Sequence, residues 1–185
     1  MHDRILNIPN MLTLARIFLT PFIVYAIIEN QPVLALILMG VAGLTDMLDG
    51  AIARFLDQRS TVGAFMDPLA DKLMLISTIV TLYFIEHIPT FLFLAVVFRD
   101  MVIVVGALVY ELVTRNLEMT PTIASKITTF LQIMLVLTVL TDMAWQIPEI
   151  LLPVMIWTTF AFTCISGVQY MIVWMSKAAN AEDNE

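Results

Sequence analysis

Charge is what this chain has least of. Only 14% of its 185 residues are Asp, Glu, Lys or Arg, where soluble domains carry about 25%, and that excludes an ordinary water-soluble globule. Cations are scarcest, with nine Lys and Arg against sixteen Asp and Glu. The resulting net charge of −7 argues against nucleic acid as a partner. The single cysteine, Cys164, rules out an internal disulfide and is expected to be a packing residue. No linker, low-complexity block or repeat divides the chain. The start does not read as a cleavable signal peptide, because the first apolar run carries Arg16 and lacks a small-residue cleavage site.

What fills the chain instead is apolar: 60% hydrophobic residues and a mean hydropathy of +0.91. Its apolar runs recur at close to the roughly 20 residues that cross a bilayer as a helix. Polar, proline-bearing breaks such as Glu29-Asn30-Gln31-Pro32 and Glu86-His87-Ile88-Pro89 separate them. The sequence therefore predicts an all-α integral membrane protein of six transmembrane helices. They cover about Met11–Ile28, Val33–Phe55, Val62–Ile85, a fourth after Pro89 ending near Val113, Thr122–Leu140 and Glu149–Trp174. Residues 1–176 form one domain, and 177–185 make a short acidic tail expected to be disordered.

The loops sort by charge. Arg4, Arg59, Arg115 and Lys177 fall on one side; Glu29, Glu86, His87, Asp142 and Glu149 fall on the other. The positive-inside rule makes the first side cytoplasmic, with both termini there. Polar residues within the spans gather toward the same side: Asn10, Thr13 and Arg16 in the first helix, Asp46, Asp49 and Arg54 in the second, Asp67 and Asp71 in the third, Lys126 in the fifth, Gln169 in the sixth. A polar cavity open to the cytoplasm, with an apolar far half, is the expectation.

Four of these residues are acids. Asp46 and Asp49, three apart, share one helical face, as do Asp67 and Asp71, four apart. Ionisable groups at membrane depth are expensive and mark function by default, and an all-oxygen pocket suits hard divalent cations. The plainer reading is internal salt bridging with Arg16, Arg54 or Lys72. Two cations about 3.5–4 Å apart would polarise a phosphorus centre and steady a leaving phosphate, with one carboxylate acting as base.

The spacing is distinctive. From Asp46 the chain reads D-x2-D-G-x2-A-R-x8-G-x3-D-x3-D, through Asp49, Gly50, Ala53, Arg54, Gly63, Asp67 and Asp71. This resembles the signature of the CDP-alcohol phosphotransferases, membrane enzymes of phospholipid synthesis, and the likeness extends over nearly the whole chain. The resemblance implies that Asp46, Asp49 and Asp67 ligate two ions, Mg2+ or Mn2+, and that Asp71 touches the second site and serves as catalytic base. Gly50, Ala53 and Gly63 would border the cytidine diphosphate of CDP-diacylglycerol, although small residues also permit close helix packing. Arg54 suits a diphosphate oxygen, its alternative being a snorkelling arginine. Asn10, Thr13 and Arg16, in the N-I-P-N-x-L-T-x-x-R opening, would line the nucleotide pocket or merely cap and anchor the first helix. The family also implies a homodimer.

The acceptor end carries Arg99-Asp100 and Lys126. Arg99 is read as an acceptor-phosphate contact oriented by Asp100, against a neutral internal pair; Lys126 would meet an anionic lipid or snorkel. Two branches of the family fit, one using phosphatidylglycerol and the other glycerol 3-phosphate. The second typically has Arg-Glu where this chain has Arg99-Asp100, a further arginine where it has Ala107, and a lysine where it has Thr128. The first resembles this chain there, with Ser125-Lys126-Ile127-Thr128-Thr129. A lipid acceptor with one charge and its own acyl anchors needs fewer cations than a small dianion, so phosphatidylglycerol is the expected acceptor. A divalent-cation transporter is the rival from another class; it would need polar residues continuing to the far face.

Overall fold

The apolar runs are all helical in a computed structural model, which describes residues 8–55, 61–114 and 122–182, and side chains over 11–46, 69–106 and 122–173. The described residues form six helices, α1 (Ile8–Ile28), α2 (Pro32–Phe55), α3 (Thr61–Phe84), α4 (Thr90–Thr114), α5 (Ile123–Trp145) and α6 (Leu151–Glu182), and no strand. Met11–Ile28, Ile123–Trp145 and Leu151–Val173 are long and apolar enough to cross a membrane, and Pro32–Asp46 is a shorter apolar stretch. This is an all-α membrane protein. Four helices begin and end within a few residues of the expected positions, while α5 runs on to Trp145 instead of Leu140. α6 continues to Glu182, past the expected end at Trp174. Met175, Lys177, Ala178, Ala179 and Ala181 are strong helix formers with no Gly or Pro among them, so nothing stops the last turns.

Three helix ends explain the tight connections. Asn30, Glu86 and Gln146 adopt positive φ, 53°, 65° and 51°. After α1, Asn30 N–H donates to Ile27 O and Gln31 N–H to Ala26 O; after α3, Glu86 N–H donates to Tyr83 O and His87 N–H to Leu82 O. Both are Schellman closures, and Gln146 N–H to Asp142 O closes α5 by the simpler single bond. Asn accepts the left-handed region readily, but Glu86 takes it at a steric penalty.

The chain packs as two units, described separately. The first comprises residues up to His87 together with Val139–Ile147; the second comprises Ile88–Thr138 and Pro148 onward. Within the first, α1 packs on both α2 and α3. Charged and hydroxyl side chains share the inward faces with apolar ones, while many large apolar side chains are exposed on the outward faces. On α1, Thr13, Arg16, Thr20, Ile23 and Ile27 are buried while Met11, Leu14, Phe18, Phe22 and Tyr25 are exposed. The 3.6-residue period places each charge on an inward face. Asp46 continues the buried row Ala35, Met39, Ala42 on α2, and Asp71 precedes Leu75, Thr78 and Leu82 on α3. In the second unit, Arg99 continues the buried row Leu92, Val96 on α4. Cys164, expected to pack, is exposed on α6 beside Ile165 and Val168 on the outward face. Gln169 is exposed too.

Replacing Glu86 by Gly is expected to raise stability by about 0.5–1 kcal/mol by removing the left-handed strain. A higher thermal midpoint in detergent would show it; a lower one would mean that the side chain contributes more than the strain.

Candidate functional site

α1 brings one guanidinium between two acids of different helices. Arg16, with no exposed surface, donates from Nη2 to Asp46 Oδ1 at 2.9 Å and from Nη1 to Asp71 Oδ1 at 2.5 Å. The two aspartates stay about half exposed, at 47% and 48% of their side-chain surface. Asp46 and Asp71 are thus held a guanidinium's width apart on α2 and α3, with accessible oxygen remaining on each. Neither sits at a helix terminus, because α2 continues to Phe55 and α3 starts at Thr61. The salt bridging weighed as the plainer reading is present at Arg16, which pairs with both Asp46 and Asp71. Thr13, one turn before Arg16, is fully buried on the same face, and Lys72 is half-buried beside Asp71.

The donor set fits divalent cations. The carboxylates are hard oxygen ligands, the Arg16 guanidinium is shared between two of them, and about half of each side chain remains exposed. Among the described residues there is no group of three or more metal-ligating side chains. Asp49 and Asp67, the remaining expected ligands, lie on the backbones of α2 and α3, one turn after Asp46 and one turn before Asp71. Their side chains fall outside those described, as do those of Asn10, Ala53 and Arg54 and the immediate surroundings of Gly50 and Gly63.

The second unit is built around Arg99, which is 3% exposed. Its Nη1 donates to Asp100 Oδ1 at 2.6 Å. Nε and Nη2 both donate to Ser166 Oγ, at 3.3 and 3.2 Å, and Nη2 also reaches Ser125 Oγ at 2.6 Å and Ser125 O at 3.5 Å. Arg99 and Asp100 are therefore an ion pair, and α5 and α6 grip the same guanidinium. Lys126, next to Ser125, points to the exposed side of α5. Ser166 and Gln132 had no signal in the sequence, a lone serine or glutamine in an apolar run being indistinguishable from filler. Gln132 is 2% exposed, and its Nε2 has no partner.

The interior away from these charges is less apolar than expected, with Thr20, Thr78, Thr81, Thr159 and Thr163 all buried. Thr20, Thr78, Thr81 and Thr163 donate to the carbonyl four residues earlier in their own helix. Thr159 Oγ1 reaches Leu131 O at 3.4 Å. Hydroxyls satisfied in this way are silent.

Acidic side chains from neighbouring membrane helices, converging beside the D-x2-D-G…D-x3-D spacing, define a class of membrane-embedded, carboxylate-centred sites. The sequence profile of the CDP-alcohol phosphatidyltransferases matches residues 6–165, and the chain belongs to that family. It is 34% identical over 175 residues to a Homo sapiens protein named cardiolipin synthase (CMP-forming), covering 85% of this chain and 58% of that one. It is 44% identical over 106 residues to a Drosophila melanogaster protein named probable cardiolipin synthase (CMP-forming), covering 57% of this chain and 33% of that one. An Aquifex aeolicus (strain VF5) protein named CDP-diacylglycerol--glycerol-3-phosphate 3-phosphatidyltransferase is 33% identical over 126 residues, with 67% of this chain and 70% of that one covered. The chain thus spans about a third and just under three-fifths of the two cardiolipin synthase relatives.

Removing the cation at the centre leaves two like charges facing each other. Arg16→Gln is expected to destabilise the protein by about 3 kcal/mol, measured as a lower unfolding midpoint in detergent with chelator present. An unchanged midpoint would show that the pairing carries no stability.

Proposed function

We propose that this chain is a phosphatidyltransferase that moves the phosphatidyl group of CDP-diacylglycerol onto phosphatidylglycerol, forming cardiolipin and releasing CMP. The observation that carries the reading is the convergence of Asp46 and Asp71, from two helices, onto one site with half of each carboxylate open. In the proposed reaction a terminal glycerol hydroxyl of the acceptor gives its proton to Asp71. Its oxygen bonds to the diacylglycerol-side phosphorus as the bond from that phosphorus to CMP breaks. Among the described residues no Ser, Cys or His near the aspartates is placed for a covalent intermediate, so a single in-line transfer is proposed. Asp46, Asp49, Asp67 and Asp71 would hold two divalent cations, Mg2+ or Mn2+, which when bound polarise the phosphorus and offset charge on the departing phosphate. Arg54, Gly50, Ala53, Gly63, Asn10, Thr13 and Arg16 belong to the proposed donor pocket, Arg16 by keeping Asp46 and Asp71 in register.

Arg99, Asp100 and Lys126 form the proposed acceptor contact. Asp100, the more exposed partner at 13%, holds Nη1 of Arg99 until the acceptor phosphate displaces it. Relatives bear both acceptor names, so the choice rests on residues. Thr128 is fully buried, its hydroxyl directed at Ala124 O and Phe162 O at 2.9 and 3.0 Å. It ties α5 to α6 where the glycerol 3-phosphate branch would place a lysine, which favours an acceptor needing fewer cations. The pocket is proposed to open to the cytoplasm, with both termini on that side by the positive-inside rule, in a homodimer.

Given CDP-diacylglycerol, the purified protein is expected to release CMP and form cardiolipin with phosphatidylglycerol, and to turn over poorly with glycerol 3-phosphate; product with glycerol 3-phosphate alone would overturn the acceptor assignment. Asp71→Asn is expected to lower kcat by about 10³-fold while leaving nucleotide affinity nearly intact. Near-normal turnover in that variant would remove Asp71 from the role of base.

A further inference from the structure

The guanidinium of Arg99 has two unlike ends. Its Nε–Nη2 edge is taken up by two neutral hydroxyls, Ser166 Oγ from α6 and Ser125 Oγ from α5. Among the described residues its Nη1 end donates to Asp100, the following residue of its own helix. Neutral acceptors fix the plane of a guanidinium without cancelling its charge, whereas a carboxylate cancels it. Ser166 is fully buried and accepts twice, so it sets both the position and the tilt of the group. α6 comes close enough to do this beside Gly167, where an added Cβ would lie 3.8 and 3.9 Å from Cγ and Cβ of Arg99, an ordinary contact.

We propose that Ser166 and Ser125 are positioning residues for the acceptor: they hold Arg99 from behind so that its Nη1 end is presented to the phosphodiester of the incoming lipid. This rests on the reading that Arg99 binds the acceptor. Neither serine touches the lipid; both act through Arg99. A long cation released from that grip would sample many rotamers, and the acceptor would have to select the productive one.

The test is steady-state kinetics of the full chain in mixed micelles, varying phosphatidylglycerol at saturating CDP-diacylglycerol and then the reverse. Loss of one such hydrogen bond corresponds to about a fivefold change, so Ser166→Ala and Ser125→Ala are each expected to raise the acceptor KM by about that factor. The kcat and the KM for CDP-diacylglycerol should stay within about twofold by the same reasoning. Ser125→Thr, which keeps the hydroxyl, should restore the acceptor KM, and Gly167→Ala should leave it unchanged as a packing control. In an Arg99→Gln background, Ser166→Ala should add nothing further. If Arg99→Gln itself leaves the acceptor KM unaltered, the acceptor reading of Arg99 fails and this inference with it. If Arg99→Gln raises that KM but the serine variants do not, the inference alone is overturned. It is also overturned if the effects of Ser166→Ala and Arg99→Gln multiply, or if Ser125→Thr behaves like Ser125→Ala. Should Ser166→Ala prove unstable, the Ser125→Ala and Ser125→Thr pair decides.

Discussion

A guanidinium with no exposed surface, held between carboxylates of two other helices, is the constraint on which the first unit depends. A charged side chain at the middle of a membrane helix costs about 3 kcal/mol on insertion scales, and Arg16, Asp46 and Asp71 bring three charges together. None of the three helices could carry its charge inward alone. Together they can, because the planar fork of an arginine serves two acids at once, with Nη1 and Nη2 each taking one. The packing of α1 against both α2 and α3 follows from that geometry as much as from apolar contact, since lipid offers no hydrophobic drive for helices to associate.

The second unit solves the same problem with the opposite balance. At Arg16 one guanidinium is shared by two carboxylates that stay about half exposed, and the proposed cation seat rests on that arrangement. At Arg99 one positive charge meets one negative, and the remaining donors go to neutral serines. In the proposed acceptor contact Asp100 gives way, and a cation mounted on two serines is left to face an anion. The proposed transfer of phosphatidyl groups would use both, a negative seat for metal and a positive seat for a lipid phosphate.

The helices were legible because their punctuation is local. Pro32 and Pro89 with their polar neighbours mark turns, and the inward faces follow from the 3.6-residue period. The clustering of acids was legible too, since Asp46 with Asp49 and Asp67 with Asp71 share faces by spacing alone. Which base would meet them was not, because pairing between helices separated by dozens of residues leaves no trace in local pattern; Arg54, Lys72 and Arg16 were equal candidates. Ser166 was invisible for the same reason. Glu86 gave no hint of its left-handed backbone, a position usually left to Gly or Asn. The outward Cys164 shows that in lipid an apolar residue says little about burial, as both the interior and the surroundings accept it.

That ambiguity bears on the rival reading of the site as a path for cations. The buried threonines suggest, by composition, a polar thread through the helices. Their hydroxyls say otherwise, because Thr20, Thr78, Thr81 and Thr163 each return their proton to their own helix backbone. Gln132 is the exception, a buried amide whose NH2 has no partner. It directly follows, on α5, the two levels at which that helix is tied to α6, Thr128 to Phe162 O and Thr159 to Leu131 O. One unsatisfied amide beside two closed ties is no conduit, since an ion passing it would need a succession of oxygen ligands. Among the described residues the ionic chemistry therefore stays with the groups around Arg16 and Arg99, and this distribution fits a reaction performed in place better than passage across the membrane.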